Sequence, residues 1–76
     1  MRVFSHRRLS DFLNDPKYKM SGVALSVGIS PSGLAKIRRG ESVPSANVVA
    51  ALARVLGCQL DELFEEAEHY SEVVNG

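Results

Sequence analysis

Apolar residues recur along this chain in short runs at helical spacing, and glycine, proline or serine interrupts each run. Leu9, Phe12 and Leu13 stand at i, i+3 and i+4, which predicts a first helix ending before Pro16, because the residue preceding proline avoids helical angles. Val23, Ala24 and Val27 repeat the spacing in a short second helix closed by Gly28. Ser30-Pro31 opens a third: serine caps the first turn, and proline fits the first helical position, whose N–H has no helical partner. That helix carries Leu34 and Ile37 inward and stops at Gly40. A fourth runs from Ser45 to Leu56 with Val49, Leu52, Ala53 and Leu56 on one face and Gly57 as its stop. A fifth carries Leu60, Leu63 and Phe64. No run alternates apolar and polar residues long enough to argue for a strand, so the expectation is a compact all-α domain of five short helices.

Met20 to Arg39, MSGVALSVGISPSGLAKIRR, is the informative stretch. Two helices cross steeply only if their contact residues are small and the turn between them takes a left-handed conformation. Ala24 is the small residue and Gly28, four positions on, is the turn. Val23, Val27, Ile29, Leu34 and Ile37 are spaced to lock the pair onto one core. On these residues, from about Arg8 to Phe64, the chain resembles the lambda-repressor-like (Cro-type, XRE) helix-turn-helix domains. GISPSGLAKIRRG is similar to their turn and recognition helix, and VPSANVVAALARVLGCQLDELF to their fourth helix, glycine stop and fifth helix.

The resemblance implies binding to double-stranded DNA with the recognition helix, about residues 31–39, in the major groove. Carried over position by position, the groove-facing residues are Pro31, Ser32, Gly33, Ala35 and Lys36. Ser32 and Lys36 have the chemistry to meet base edges, Lys36 as a donor to guanine O6 and N7. Their alternatives are solvation of the first turn for Ser32 and a phosphate contact for Lys36. Gly33 and Ala35 are small enough for the helix to sit deep, although Gly33 is equally explained by close packing of helix two, and Pro31 by helix initiation.

Phosphate contacts are expected from Lys19 and Met20 at the start of helix two, where backbone N–H groups favour an anion, and from Arg38, Arg39, Ser42 and Asn47 around the junction of helices three and four. Three departures stand out. Lys19 and Met20 replace the family's common Ser or Thr followed by Gln, which weakens the cap of helix two. Leu13 and Arg38 occupy the places of an arginine–glutamate pair that often joins helices one and three, so both halves of that pair are missing; Leu13 is expected in the core and Arg38 free for DNA. Ser21-Gly22 is a poor helix start, costing about 1 kcal/mol at the glycine relative to alanine.

Toward the C-terminus, Leu60, Leu63, Ala67, Tyr70 and Val74 would form an apolar seam if helix five continued, and Val48 and Val55 widen the stripe of helix four beyond one core face. Symmetric dimers are the usual way such motifs read two half-sites. A homodimer on an inverted-repeat operator is therefore expected, with Val48, Val55, Leu60, Leu63, Ala67 and Tyr70 at its interface. The alternative for the end of the chain is a frayed acidic tail. Residues 1–64 are read as the DNA-binding domain and 65–76 as an acidic extension.

Charge changes this picture more than composition does. The chain is neutral overall, yet residues 1–40 carry eight basic and two acidic groups, net +6, and residues 41–76 carry one basic and seven acidic, net −6. A basic half suits a polyanion, with the acidic half held away from it; two solvated faces of opposite sign are the plainer account. The longest apolar run, Val48 to Ala53, is far short of the roughly 20 residues that cross a bilayer, and the start of the chain lacks a signal-peptide core. A soluble, cytoplasmic protein is expected.

One cysteine excludes a disulfide within the chain and a multi-cysteine zinc site, and Cys58 is expected as a buried structural thiol. Asp61, Glu62, Glu65 and Glu66 read as the solvated face of a helix, not a metal site. No catalytic constellation, metal or cofactor is expected. The sequence therefore reads as a transcriptional regulator, most simply a repressor of phage or plasmid type, with no room for a sensor domain. The alternative is an antitoxin-like or adaptor module that binds a protein through its C-terminal segment and autoregulates through DNA.

Overall fold

Serines set the starts of three helices in the computed structural model, which describes residues 1–67. Ser5, Ser30 and Ser45 are extended, and each hydroxyl accepts from the N–H three residues on: Arg8 at 3.1 Å, Gly33 at 3.0 Å and Val48 at 3.3 Å. The helices that follow are α1 (His6–Leu13), α3 (Pro31–Arg38) and α4 (Ala46–Leu56). Between them α2 (Met20–Val27) begins at Lys19, which makes no side-chain cap, as its residue type implies. The Tyr18 hydroxyl donates to the Leu56 carbonyl at 3.0 Å, tying the loop before α2 to the end of α4.

The core lies where the apolar spacing puts it. Leu9, Leu34 and Leu52 are fully buried, one each from α1, α3 and α4, with Leu13, Val23, Ala24, Ile37, Val49, Ala53 and Leu56 around them. Leu13 does join the core. Leu25, by contrast, is 82% exposed on α2.

The expected fifth helix is not formed. Leu60–Leu63 makes a single 3-10 turn, in which the Gln59 N–H donates to the Glu62 carboxylate at 2.7 Å. The chain then extends as β2 (Phe64–Glu66) and pairs antiparallel with β1 (Arg2–Phe4), matching Arg2 with Glu66, Val3 with Glu65 and Phe4 with Phe64. Hydrogen bonds from Ser5 N–H to Leu63 O and from Ala67 N–H to Met1 O, both 2.8 Å, continue the ribbon at each end. Among the described residues the fold is thus four α-helices and a two-stranded ribbon, not five helices.

The physical reason is what the extended path brings together. Phe64 meets Phe4 edge to face, with ring centroids 6.2 Å apart. Glu65 accepts from the Ser5 hydroxyl and, at 3.0 Å, from Arg7, while Glu66 pairs with the N-terminal ammonium at 3.1 Å. Arg2 donates to the carbonyls of Asp61 and Phe64 at 2.7 and 3.2 Å. A helix continued past Leu63 would forgo all of these.

The helical seam fails with the helix. Leu63 is fully buried in the chain's own core and is not available to a dimer partner, whereas Leu60 is half exposed. Tyr70 and Val74 lie outside the described residues. β2 also runs across the boundary expected between residues 64 and 65. Among the described residues, no helix is long and apolar enough to cross a membrane.

Candidate nucleic-acid interface

The turn between α2 and α3 rests on Gly28 at φ +93°, in left-handed space that a side chain would strain. Its N–H and that of Ile29 both reach the Ala24 carbonyl, at 2.9 and 3.0 Å, closing α2 and aiming the chain across it. Ala24 is fully buried, which is what a close crossing of the two helices requires.

α3 divides into two faces. Leu34 and Ile37 are buried. Ser32, Lys36 and Arg39 follow at i, i+4 and i+7 on the exposed side, with half-buried Ala35 between them and exposed Pro31 at the first position. Gly33 is half-buried, and a Cβ there would meet the Ser30 hydroxyl at 3.1 Å. Its close neighbour is therefore the helix's own cap and not helix two.

At the far end, Gly40 at φ +80° lets its own N–H reach the Ile37 carbonyl at 3.1 Å and the Glu41 N–H reach that of Lys36 at 2.9 Å. The His6 imidazole lies over this glycine, 2.8 Å from where a Cβ would stand. Ser42 and Asn47 are exposed on either side of the start of α4.

The four expected basic contacts differ in their surroundings. Lys19 and Lys36 are exposed and form no ion pair among the described residues. Arg39 is held by Glu41 through two bonds of 2.6 and 3.2 Å, which raise the arginine's pKa and lower the glutamate's. Arg38 is not free. Its Nε donates to Ser10 Oγ at 3.1 Å, its Nη2 to Asn14 Oδ1 at 2.6 Å and its Nη1 to Met20 Sδ at 3.4 Å. The expectation of an unengaged Arg38 is thereby corrected, and Met20, half-buried, turns its sulfur to Arg38.

Sequence reasoning missed the residues that hold these arginines. Glu41 stood two places from Arg39 and was legible as a neighbouring opposite charge. Ser10 and Asn14, four apart on α1, carry no local sign of a partner 24 to 28 residues away.

The charge asymmetry is partly consumed inside the molecule. Arg7 pairs with Glu65 at 3.0 Å and Asp11 at 3.8 Å, and hydrogen bonds from Ser5 and Arg7 hold the Glu65 carboxyl below its usual pKa. The acidic segment grips the N-terminal end of the basic half, on the ribbon. Asp61, Glu62, Glu65 and Glu66 are thus distributed over a turn and a strand, in place of the solvated helix face expected for them. Cys58 is half-buried against the core, and burial and nearby Glu62 push its thiol pKa up. Among the described residues, no cluster of three or more His, Cys, Asp or Glu side chains is placed to hold a metal ion.

A profile of helix-turn-helix domains matches residues 16–63, which spans α2, α3, α4 and the 3-10 turn. The chain belongs to the lambda-repressor-like (XRE) helix-turn-helix family. It is 40% identical over 57 residues to YazB of Bacillus subtilis, described as an uncharacterised HTH-type transcriptional regulator, covering 75% of this chain and 83% of that protein. In fold it is similar to the P22 c2 repressor solved with a synthetic operator, at a TM-score of 0.70 and 24% identity over 76% of this chain and 88% of that one. It is also similar to the restriction-modification controller protein C.AhdI of Aeromonas hydrophila, at a TM-score of 0.72 and 24% identity over 78% and 89% of the two chains. The architecture is that of the DNA-binding domain of HTH-type regulators.

Proposed function

We propose that this helix-turn-helix protein is a sequence-specific transcriptional repressor that lays α3 in the major groove of an operator. The observation that carries the proposal is the division of α3: Leu34 and Ile37 anchor it to the core, while Ser32 and Lys36 project together from the exposed side. Small Ala35 and Gly33 leave that side low enough to approach base edges. Lys36 reads a guanine, and Ser32 a neighbouring base edge.

Lys19, Arg39, Ser42 and Asn47, with the uncapped N–H groups of α2, contact phosphates and fix the register. Glu41 must yield Arg39 to the backbone for that contact to form. The protein acts as a homodimer on an inverted repeat, with exposed Leu60 and half-buried Val48 and Val55 as its self-association surface. The antitoxin-like reading loses part of its support, because Glu65 and Glu66 are engaged by the chain's own N-terminal residues.

Lys36→Ala tests the assignment in binding isotherms on a selected duplex. The expected loss is about 1–3 kcal/mol with relaxed preference at one base pair. A uniform loss across sequences, with the salt slope shallower by about one, would make Lys36 a phosphate contact.

A further inference from the structure

We infer that Arg38 is a positioning residue for the recognition helix: its guanidinium fastens the end of α3 to Ser10 and Asn14 of the α1 segment and takes no part in phosphate binding. The inference rests on the reading of α3 as the element that meets DNA.

Each nitrogen of the guanidinium has a protein acceptor. Nε is engaged by Ser10 Oγ at 3.1 Å, Nη2 by Asn14 Oδ1 at 2.6 Å and Nη1 by Met20 Sδ at 3.4 Å. Ser10 lies in α1, Asn14 is the C-cap of α1, and Met20 opens α2. One planar group therefore joins three consecutive helices beside the buried pair Leu34 and Ile37. A guanidinium is suited to this because its donors are fixed in a plane, so satisfying two of them sets the orientation of the third.

The arrangement links α1 and α3 through a single cation. That cation sits on α3, close to the negative C-terminal end of that helix, where a cation is favoured. The partners on α1 are neutral, so the link forms without burying an opposite charge. Leu13, the residue before Asn14, is buried in the core. Arg39, the next residue, projects to solvent instead and pairs with Glu41. Of the two adjacent arginines, one orients the helix and the other faces outward.

The chemistry separates a positioning role from a phosphate contact through salt, charge and coupling. A phosphate contact released on substitution makes the plot of log K against log salt shallower by about 0.9. A positioning residue lowers affinity and base discrimination without changing that slope. Lysine would preserve a phosphate contact but cannot reproduce the three-way fork.

The test measures affinity for a selected duplex and its single-base variants, across a salt series, for full-length wild type, Arg38→Gln, Arg38→Lys, Asn14→Ala and the Arg38→Gln/Asn14→Ala double variant. Thermal melts establish that each protein is folded at the temperature used. The expected result is a loss of about 2- to 30-fold for both arginine variants and for Asn14→Ala. The double variant should be no weaker than Arg38→Gln, discrimination between duplexes should narrow, and all salt slopes should match wild type. A shallower slope for Arg38→Gln, with Arg38→Lys and Asn14→Ala binding like wild type, would overturn the positioning role alone. Lys36→Ala serves as the control: if it binds every duplex like wild type, α3 is not the reading helix and both assignments fall.

Discussion

The helix-turn-helix and the terminal ribbon obey different rules. From Met20 to Leu56, each helix is bounded by residues within a few positions of its ends: Gly28 in left-handed space, Ser30 and Pro31, Gly40, then Ser45. The ribbon has no such signals. Its two strands lie some 60 residues apart, and three residues in each are too few to show alternation. Where structure is specified locally, spacing and caps reveal it; where it is specified by a distant partner, the same spacing misleads. Leu60, Leu63 and Ala67 have helical periodicity, but the pull of Phe4, Ser5 and Arg7 on Phe64 and Glu65 prevails.

That contrast is sharpest in stability. Leu34→Ala, at a fully buried site beneath the exposed face of α3, should cost about 2–5 kcal/mol and unfold the whole domain, as read by chemical denaturation. Gly40→Ala comes next: left-handed φ and the His6 ring at 2.8 Å both oppose a Cβ, for a loss of about 1–3 kcal/mol. Conversion of Gly40 to alanine without loss of stability would mean that the junction of α3 and α4 is softer than its hydrogen bonds indicate.

The ribbon should yield separately. Phe4→Ala removes the edge-to-face pair with Phe64, which such pairs value at about 0.5–1.5 kcal/mol beyond burial. Amide exchange should quicken at Val3 and Glu65 while α2 and α3 keep their protection. If protection fell equally throughout, the two regions would be one cooperative unit and the contrast would apply to sequence signals only.

The smallest effect concerns acid. Hydrogen bonds from Ser5 and Arg7 depress the Glu65 pKa in the folded state, so this group contributes stability above the ordinary carboxylate range and loses it as pH falls through the depressed value. Glu65→Gln should flatten that part of the acid limb in a pH series of thermal melts. An unchanged acid limb would show the carboxylate to be solvated rather than held.

The exposed face of α3, the candidate site, was legible to the same degree as the fold beneath it. Ser32, Ala35 and Lys36 lie on the outward side of α3 because Leu34 and Ile37 define the inward side, and a helical period is enough to infer that. What the period cannot convey is which charges are already taken. Arg38 and Arg39 are adjacent and identical in type, yet one is locked to Ser10 and Asn14 and the other to Glu41. Gly33 shows the same limit: its small size suits a groove, but its immediate neighbour is the Ser30 cap.

The central claim, that the exposed side of α3 reads base sequence in a dimer, is tested most directly by selecting binding sites from a random duplex library with the full-length protein. The expected product is an inverted repeat whose half-site centres stand about 10 bp apart. Enrichment of a lone half-site would contradict the dimer, and failure of any sequence to enrich at moderate salt would contradict the claim itself.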